Sequence, residues 1–181
     1  MKTAVTLTAA VALAAAAAVA GPGLDDDTLV VEGQTYTTEV KTEGDHPLDV
    51  LYSGWRFRTD ETQRLQTDNF ENPAMVAVDY GYELWDTARG ESQKSCADCH
   101  GDVEDSMAGF RASMPRWNEE AGQPWSLEHW INWSIEAHQK AEPWKWESEE
   151  MIAMTALIGM QSRGMRMTVQ TDGPMEEWIE K

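Results

Sequence analysis

Cys96-Ala97-Asp98-Cys99-His100 is the stretch that decides how this chain is read. It is a C-x-x-C-H motif, and its two cysteines are the only ones in 181 residues. At this spacing two thiols can add across the vinyl groups of a haem, and the histidine that follows becomes the proximal ligand of the iron. A zinc site usually needs four protein ligands. Beyond the motif only His46, His129 and His138 are available, with no second C-x-x-C. A redox dithiol wants a strand-then-helix context and has no need of the histidine. The expectation is one covalent haem c, attached through Cys96 and Cys99, with His100 below the iron.

The N-terminus agrees with that chemistry. Met1-Lys2 supplies a short positive start, residues 4–19 are uncharged and rich in Ala, Val and Leu, and Ala18-Val19-Ala20 is a small-residue cleavage site. Residues 1–20 therefore read as a secretory signal peptide, too short and alanine-rich for a membrane anchor. No later segment could span a bilayer. The mature chain is expected to begin near Gly21 in the periplasm, where bacteria attach haem c.

About 160 mature residues suffice for one ordinary domain with a real core. Asp and Glu number 32 against 14 Lys and Arg, a net charge of −18, so the field would repel phosphate and nucleic-acid binding is not expected. The acidity reads either as a solvated surface in a salt-adapted setting or as a preference for partners with a basic patch.

Residues 21–70 read as an N-terminal arm and loop region. It has β-compatible runs at 28–31 and 35–40 and room for a short helix over 61–66. The haem domain is expected over 71–168. Its first helix starts at Asn72-Pro73, a favoured cap followed by a favoured first residue, and Met75, Val78, Tyr82 and Trp85 give it one apolar face. Gly81 is the small residue that would let another helix approach. A second helix covers 127–141, capped by Ser126, with Trp130, Ser134, Ala137 and Ala141 as its inward stripe and Pro143 beyond its end. A third follows Ser148, with Glu149 and Glu150 in its first turn and Arg163-Gly164 at its close. The fold class is all-α, a cytochrome c-like domain with a mostly irregular arm. Nine Trp is a high count, and six of them cluster between 117 and 146, after the motif. They suit haem-pocket walls and an ordinary core equally.

Four segments resemble the SoxA family, the larger subunits of the SoxAX cytochromes. They are SGWRFRTDETQRLQTDNFENPAM (53–75), GYELWDTARGESQKSCADCHGD (81–102), SLEHWINWSIEAH (126–138) and ESEEMIAMTALIGMQSRGM (147–165). The resemblance implies an L-cysteine S-thiosulfotransferase, which joins thiosulfate oxidatively to a cysteine of a SoxYZ-like carrier. It also implies a small SoxX-like cytochrome partner that takes electrons. Making that S–S bond releases two electrons, so one-electron acceptors must lie close by.

Two departures qualify the resemblance. Dihaem members continue into a second cytochrome domain that bears the catalytic cysteine; here 169–181 read as a linker toward such a domain, and no transferase cysteine is present. The expectation is an electron-carrying part of a subunit, or else a free-standing monohaem carrier. The second departure is Ser134, which stands where the family's first haem takes a distal cysteine thiolate. A serine hydroxyl is a poor iron ligand. His138, one helical turn on, is the candidate distal ligand, against the reading of a haem-edge histidine. Met114-Pro115 is a further possibility, and His129 a poorer one.

Overall fold

The computed structural model describes residues 27–180, so the expected signal peptide lies outside the described part. The arm begins with two short antiparallel hairpins, β1 (Thr28–Val31) with β2 (Gln34–Thr37), and β3 (Glu39–Lys41) with β4 (Val50–Tyr52). The first turns through Glu32 and Gly33, both at positive φ, which is the two-residue geometry that matches strand twist. The arm is thus more regular than its composition suggests. Its runs of three and four residues are too short for a period of two to stand out in sequence.

A 3-10 turn (Gly54–Phe57) and helix α1 (Asp60–Thr67) follow, α1 capped by the Thr59 hydroxyl, which accepts from the Thr62 N–H. The Trp55 carbonyl accepts from Gln63 Nε2 at 3.1 Å, tying the two pieces together.

Helix α2 (Met75–Asp86) starts later than the Asn72-Pro73 signal indicates. Asn72 Oδ1 accepts from the Ala74 N–H at 3.0 Å, so its side chain closes a separate turn before the helix. Val78, Gly81 and Trp85 are buried, whereas Tyr82 is exposed. Helix α6 (Glu149–Met160) crosses α2, and its Ser148 cap accepts from the Met151 N–H as expected. Gly81 lies at the crossing. A Cβ there would stand 2.6 Å from the Ala153 carbonyl oxygen and 2.7 Å from Leu157 Cβ, so only glycine permits this approach. Met151, Ala153, Met154, Leu157 and Ile158 fill the core beneath.

Between the crossed helices run single-turn α3 (Ala97–His100) and α4 (Val103–Ser106), a 3-10 turn (Arg111–Ser113), and a small hairpin, β5 (Arg116–Asn118) with β6 (Gln123–Trp125). Helix α5 (Leu127–Ser134) then passes directly into a π-helical turn over Ile135–Gln139, closed by Lys140 in the left-handed region. Its core-facing residues are Leu127, Ile131 and Ile135, not the Trp130–Ser134–Ala137 stripe. After α6, residues 165–172 lead to a 3-10 turn (Gly173–Met175) and α7 (Glu176–Ile179), where Met175 is buried. No helix among the described residues is long and apolar enough to cross a membrane.

Candidate haem-binding site

The motif turn is built locally. The Ser95 N–H donates to Asp98 Oδ2 at 2.8 Å, and the Asp98 N–H donates to Ser95 Oγ at 3.0 Å, a reciprocal box that starts the turn. The Ser95 backbone N–H, with the Ser95 hydroxyl beside it, holds the Asp98 carboxyl below its usual range. Within the turn the Cys99 and His100 N–H groups both donate to the Cys96 carbonyl, at 3.1 and 2.9 Å. At its far end the Trp85 indole donates to the Gly101 carbonyl at 2.9 Å, and the Trp85 and His100 ring centroids lie 5.8 Å apart. Helix α2 therefore braces the turn that carries the histidine.

A cleft opens beside this turn, with a volume of about 740 Å³ including its open mouth. Cys96 and His100 stand on its wall with Trp85, Met107, Phe110 and Leu127. Across from them α5 and its π turn contribute Trp130, Ile131, Trp133, Ser134, Ile135 and His138, and Trp144, Met154 and Ile158 complete it. The lining is almost wholly apolar and contains no Lys or Arg. Cys99 and His138 are exposed.

Two clamps of side chain on backbone brace the walls of the cleft. Asn132 donates from Nδ2 to the Trp144 carbonyl and accepts the Trp144 N–H on Oδ1, both at 2.9 Å, which holds Trp144 as a wall. The loop before the motif docks on the end of the π turn. Ser92 Oγ donates to the Gln139 carbonyl at 2.9 Å, and the Glu91 N–H donates to the Lys140 carbonyl at 3.2 Å. Gln139 Nε2 also lies 3.7 Å from Cys96 Sγ.

Burial pushes the Cys96 thiol up to about 11, so it rests as a neutral thiol. That is unlike the lowered thiolates of redox or zinc-binding cysteines. The two cysteines form no disulfide. Among the described residues no cluster of three metal-ligating side chains occurs.

His129 and Met114 are separated from these, whereas His138 shares the cleft. His129 belongs to the start of α5, where its Nδ1 accepts the Ser126 N–H at 3.3 Å. Met114 is buried in the core and does not line the cleft. Met107 and Met154 do, which the sequence reading did not anticipate; their apolar spacing resembles that of any core residue. His138 packs edge-on against Trp133 with centroids 5.0 Å apart. The Trp130 indole nitrogen is buried and has no hydrogen-bond partner, as is that of Trp125.

An apolar, tryptophan-walled cleft with a thiol and an imidazole presented on one turn fits a covalently held haem, and together with the crossed helices it defines a c-type cytochrome domain. The profile of the SoxA/TsdA cytochrome c domain matches residues 80–167. The chain is 42% identical to the L-cysteine S-thiosulfotransferase subunit SoxA of Rhodovulum sulfidophilum, over 94% of this chain and 59% of that protein. It is also 42% identical to SoxA of Paracoccus pantotrophus, over 86% of this chain and 55% of that one. The crystal structure of SoxXA from P. pantotrophus superposes with a TM-score of 0.77 at 37% identity, covering 88% of this chain and 62% of that chain. Residues 80–167 thus form a cytochrome c domain of the SoxA/TsdA type, and the chain is similar to SoxA over most of its length. It spans between about half and three-fifths of the length of these relatives.

Proposed function

We propose that this chain is the haem-carrying, electron-transferring part of a SoxA-like subunit, working in the periplasm after export on residues 1–20. One haem c would be held in the 71–168 domain by Cys96 and Cys99, with His100 as the proximal ligand. The observation that carries this is the cleft itself: the thiol of Cys96 and the ring of His100 open on one apolar, aromatic cavity. The bound group supplies a one-electron iron couple. The protein's part is to orient His100 through Trp85, to exclude water with Trp130, Trp144 and Ile158, and to hold Cys96 against the π turn.

The names of the relatives point to thiosulfate as the substrate of the assembly. The solved neighbour, a SoxXA structure, points to a SoxX-like cytochrome as the partner. A SoxYZ-like carrier would present the accepting cysteine. For the distal iron position the proposal is His138, because Ser134 offers only a hydroxyl and His138 is exposed on the same cleft.

The test is expression in a host that matures haem c. Wild-type protein should stain for covalent haem on a denaturing gel with one haem per chain, and Cys96→Ala with Cys99→Ala should abolish the stain. Covalent haem that survives the double substitution would sink the assignment. On the oxidised wild type, low-temperature EPR and near-infrared magnetic circular dichroism read the ligand pair. A bis-imidazole signature lost in His138→Ala supports His138. A methionine–iron band gives the position to Met107 or Met154, and a high-spin spectrum means that it is open.

A further inference from the structure

Arg89, in the loop between α2 and the motif turn, carries a charge that nothing neutralises. Its Nη1 is buried without a hydrogen-bond partner, and among the described residues it enters no ion pair. A guanidinium cannot shed its proton to escape burial, so the charge stays. Its one close companion is a ring: Cζ stands 4.5 Å from the centroid of Trp144, a cation–π contact that offsets part of the lost hydration. The contact is held from both sides. The Arg89 N–H donates to the Lys94 carbonyl at 3.1 Å, and the Trp144 backbone is clamped by Asn132.

Trp144 lines the cleft and Arg89 does not. The guanidinium therefore lies behind the wall, with one indole between it and the cavity. Its field reaches the Cys96 end of the site: burial raises that thiol, and Arg89 is the strongest influence pulling it back. Glu150, in the first turn of α6, does not cancel the charge. Its carboxyl is held below the ordinary range chiefly by its own backbone N–H and the Ser148 hydroxyl, with Arg89 the last contributor.

We infer that Arg89 is the residue that sets the haem's midpoint potential, its uncompensated guanidinium behind Trp144 favouring the reduced iron. The inference rests on the covalent-haem reading above. The ferric site carries one more positive charge than the ferrous one, so a cation fixed nearby disfavours the oxidised state and raises the potential. The chain as a whole carries a net charge of −18, which pulls the other way. Those surface charges are screened by salt, whereas a buried one is screened much less. Arg89 thus has an influence out of proportion to its single charge, and it makes the site a readier acceptor of one electron.

Spectroelectrochemical titration of the haem-loaded protein reads the effect. Arg89→Met keeps the length of the side chain and removes the charge. The potential should fall, so that at a fixed applied potential the ratio of ferrous to ferric haem drops roughly tenfold. Arg89→Lys keeps the charge and should restore most of the ratio, and Arg166→Met, at an exposed arginine, should leave it unchanged. The drop should persist in high salt. If Arg89→Met does not load haem, Arg89→Gln, neutral but still polar, carries the same expectation. A wild-type potential in the neutral variants, or an equal fall in Arg89→Lys, overturns the inference. So does a potential in Arg89→Met that becomes newly dependent on pH near neutrality, because that identifies the guanidinium as the partner of a haem carboxylate. Wild-type protein without covalent haem overturns the haem reading, and this inference with it; covalent haem with an unmoved potential defeats the inference alone.

Discussion

Gly90 sits at φ +64°, and a Cβ built there would lie 2.0 Å from the Gln139 carbonyl oxygen and 2.7 Å from Lys140 C. The contact is backbone against backbone, so no side chain can swing aside. The same contact seats the Ser92 and Glu91 bonds that bring Cys96 to the π turn. Gly90→Ala combines a left-handed backbone with a hard clash and is expected to cost at least about 1–3 kcal/mol. Chemical denaturation checks that figure. The ratio of haem to protein should fall as well, because the loop that presents Cys96 is the one displaced. Nothing local in the sequence announces this role for Gly90, because its partner is about fifty residues away.

At the scale of elements, α2 and α4 are joined by the Tyr82 hydroxyl, which donates to Glu104 Oε1 at 2.6 Å. The bond holds the Glu104 carboxyl below its ordinary range and, with smaller help from burial and from the Glu104 charge, holds the Tyr82 phenol above its own. For Glu104, whose folded value is lowered, the stabilisation is present above the unfolded carboxylate value of about 4 and lost as pH falls through the folded value. For Tyr82, whose folded value is raised, it is complete below about pH 10 and lost as pH rises through the folded value. Both groups are largely exposed, so solvent screening limits the bond to under about 1 kcal/mol. Tyr82→Phe should lower the melting temperature slightly at neutral pH, with the deficit vanishing in acid; a deficit constant down to pH 2 would contradict this. The elements differ in how legible they are. Ser148 with Glu149 and Glu150 marks the start of α6 because cap and dipole residues act locally. Leu127, Ile131 and Ile135 are hard to read as the buried stripe, since Trp130 and Ser134 line the cleft beside them and are equally compatible with an inward face. The π turn carries no sequence sign, because its extra residue is accommodated by docking of the 90–92 loop rather than by any residue type.

On the scale of the whole molecule, Arg163 joins the arm to the haem domain. Its Nη1 donates to Asn69 Oδ1 at 3.0 Å and its Nη2 to the Gln66 carbonyl at 3.4 Å, while its guanidinium lies 5.9 Å from the Tyr36 ring centroid. Gly164 is packed so closely that a Cβ would meet Tyr36 Cδ1 at 2.0 Å. This gives the QSRGM segment a structural task, and it explains why the arm is less irregular than its composition implies: its order is supplied from the far end of the chain. Arg163→Ala should speed proteolysis within 27–70 several-fold and leave the haem spectrum unchanged, with mass spectrometry of timed digests as the check. The tryptophans that wall the cleft have an optical consequence as well. Trp85, Trp130, Trp133 and Trp144 line one cavity, and Trp125 packs on Trp130. A porphyrin absorbs where indoles emit, so these rings would pass their excitation to it and the folded, loaded protein would be nearly dark in the ultraviolet. Unfolding would move the rings away and restore their emission, so the brightness of a solution would count its unfolded molecules without any added dye.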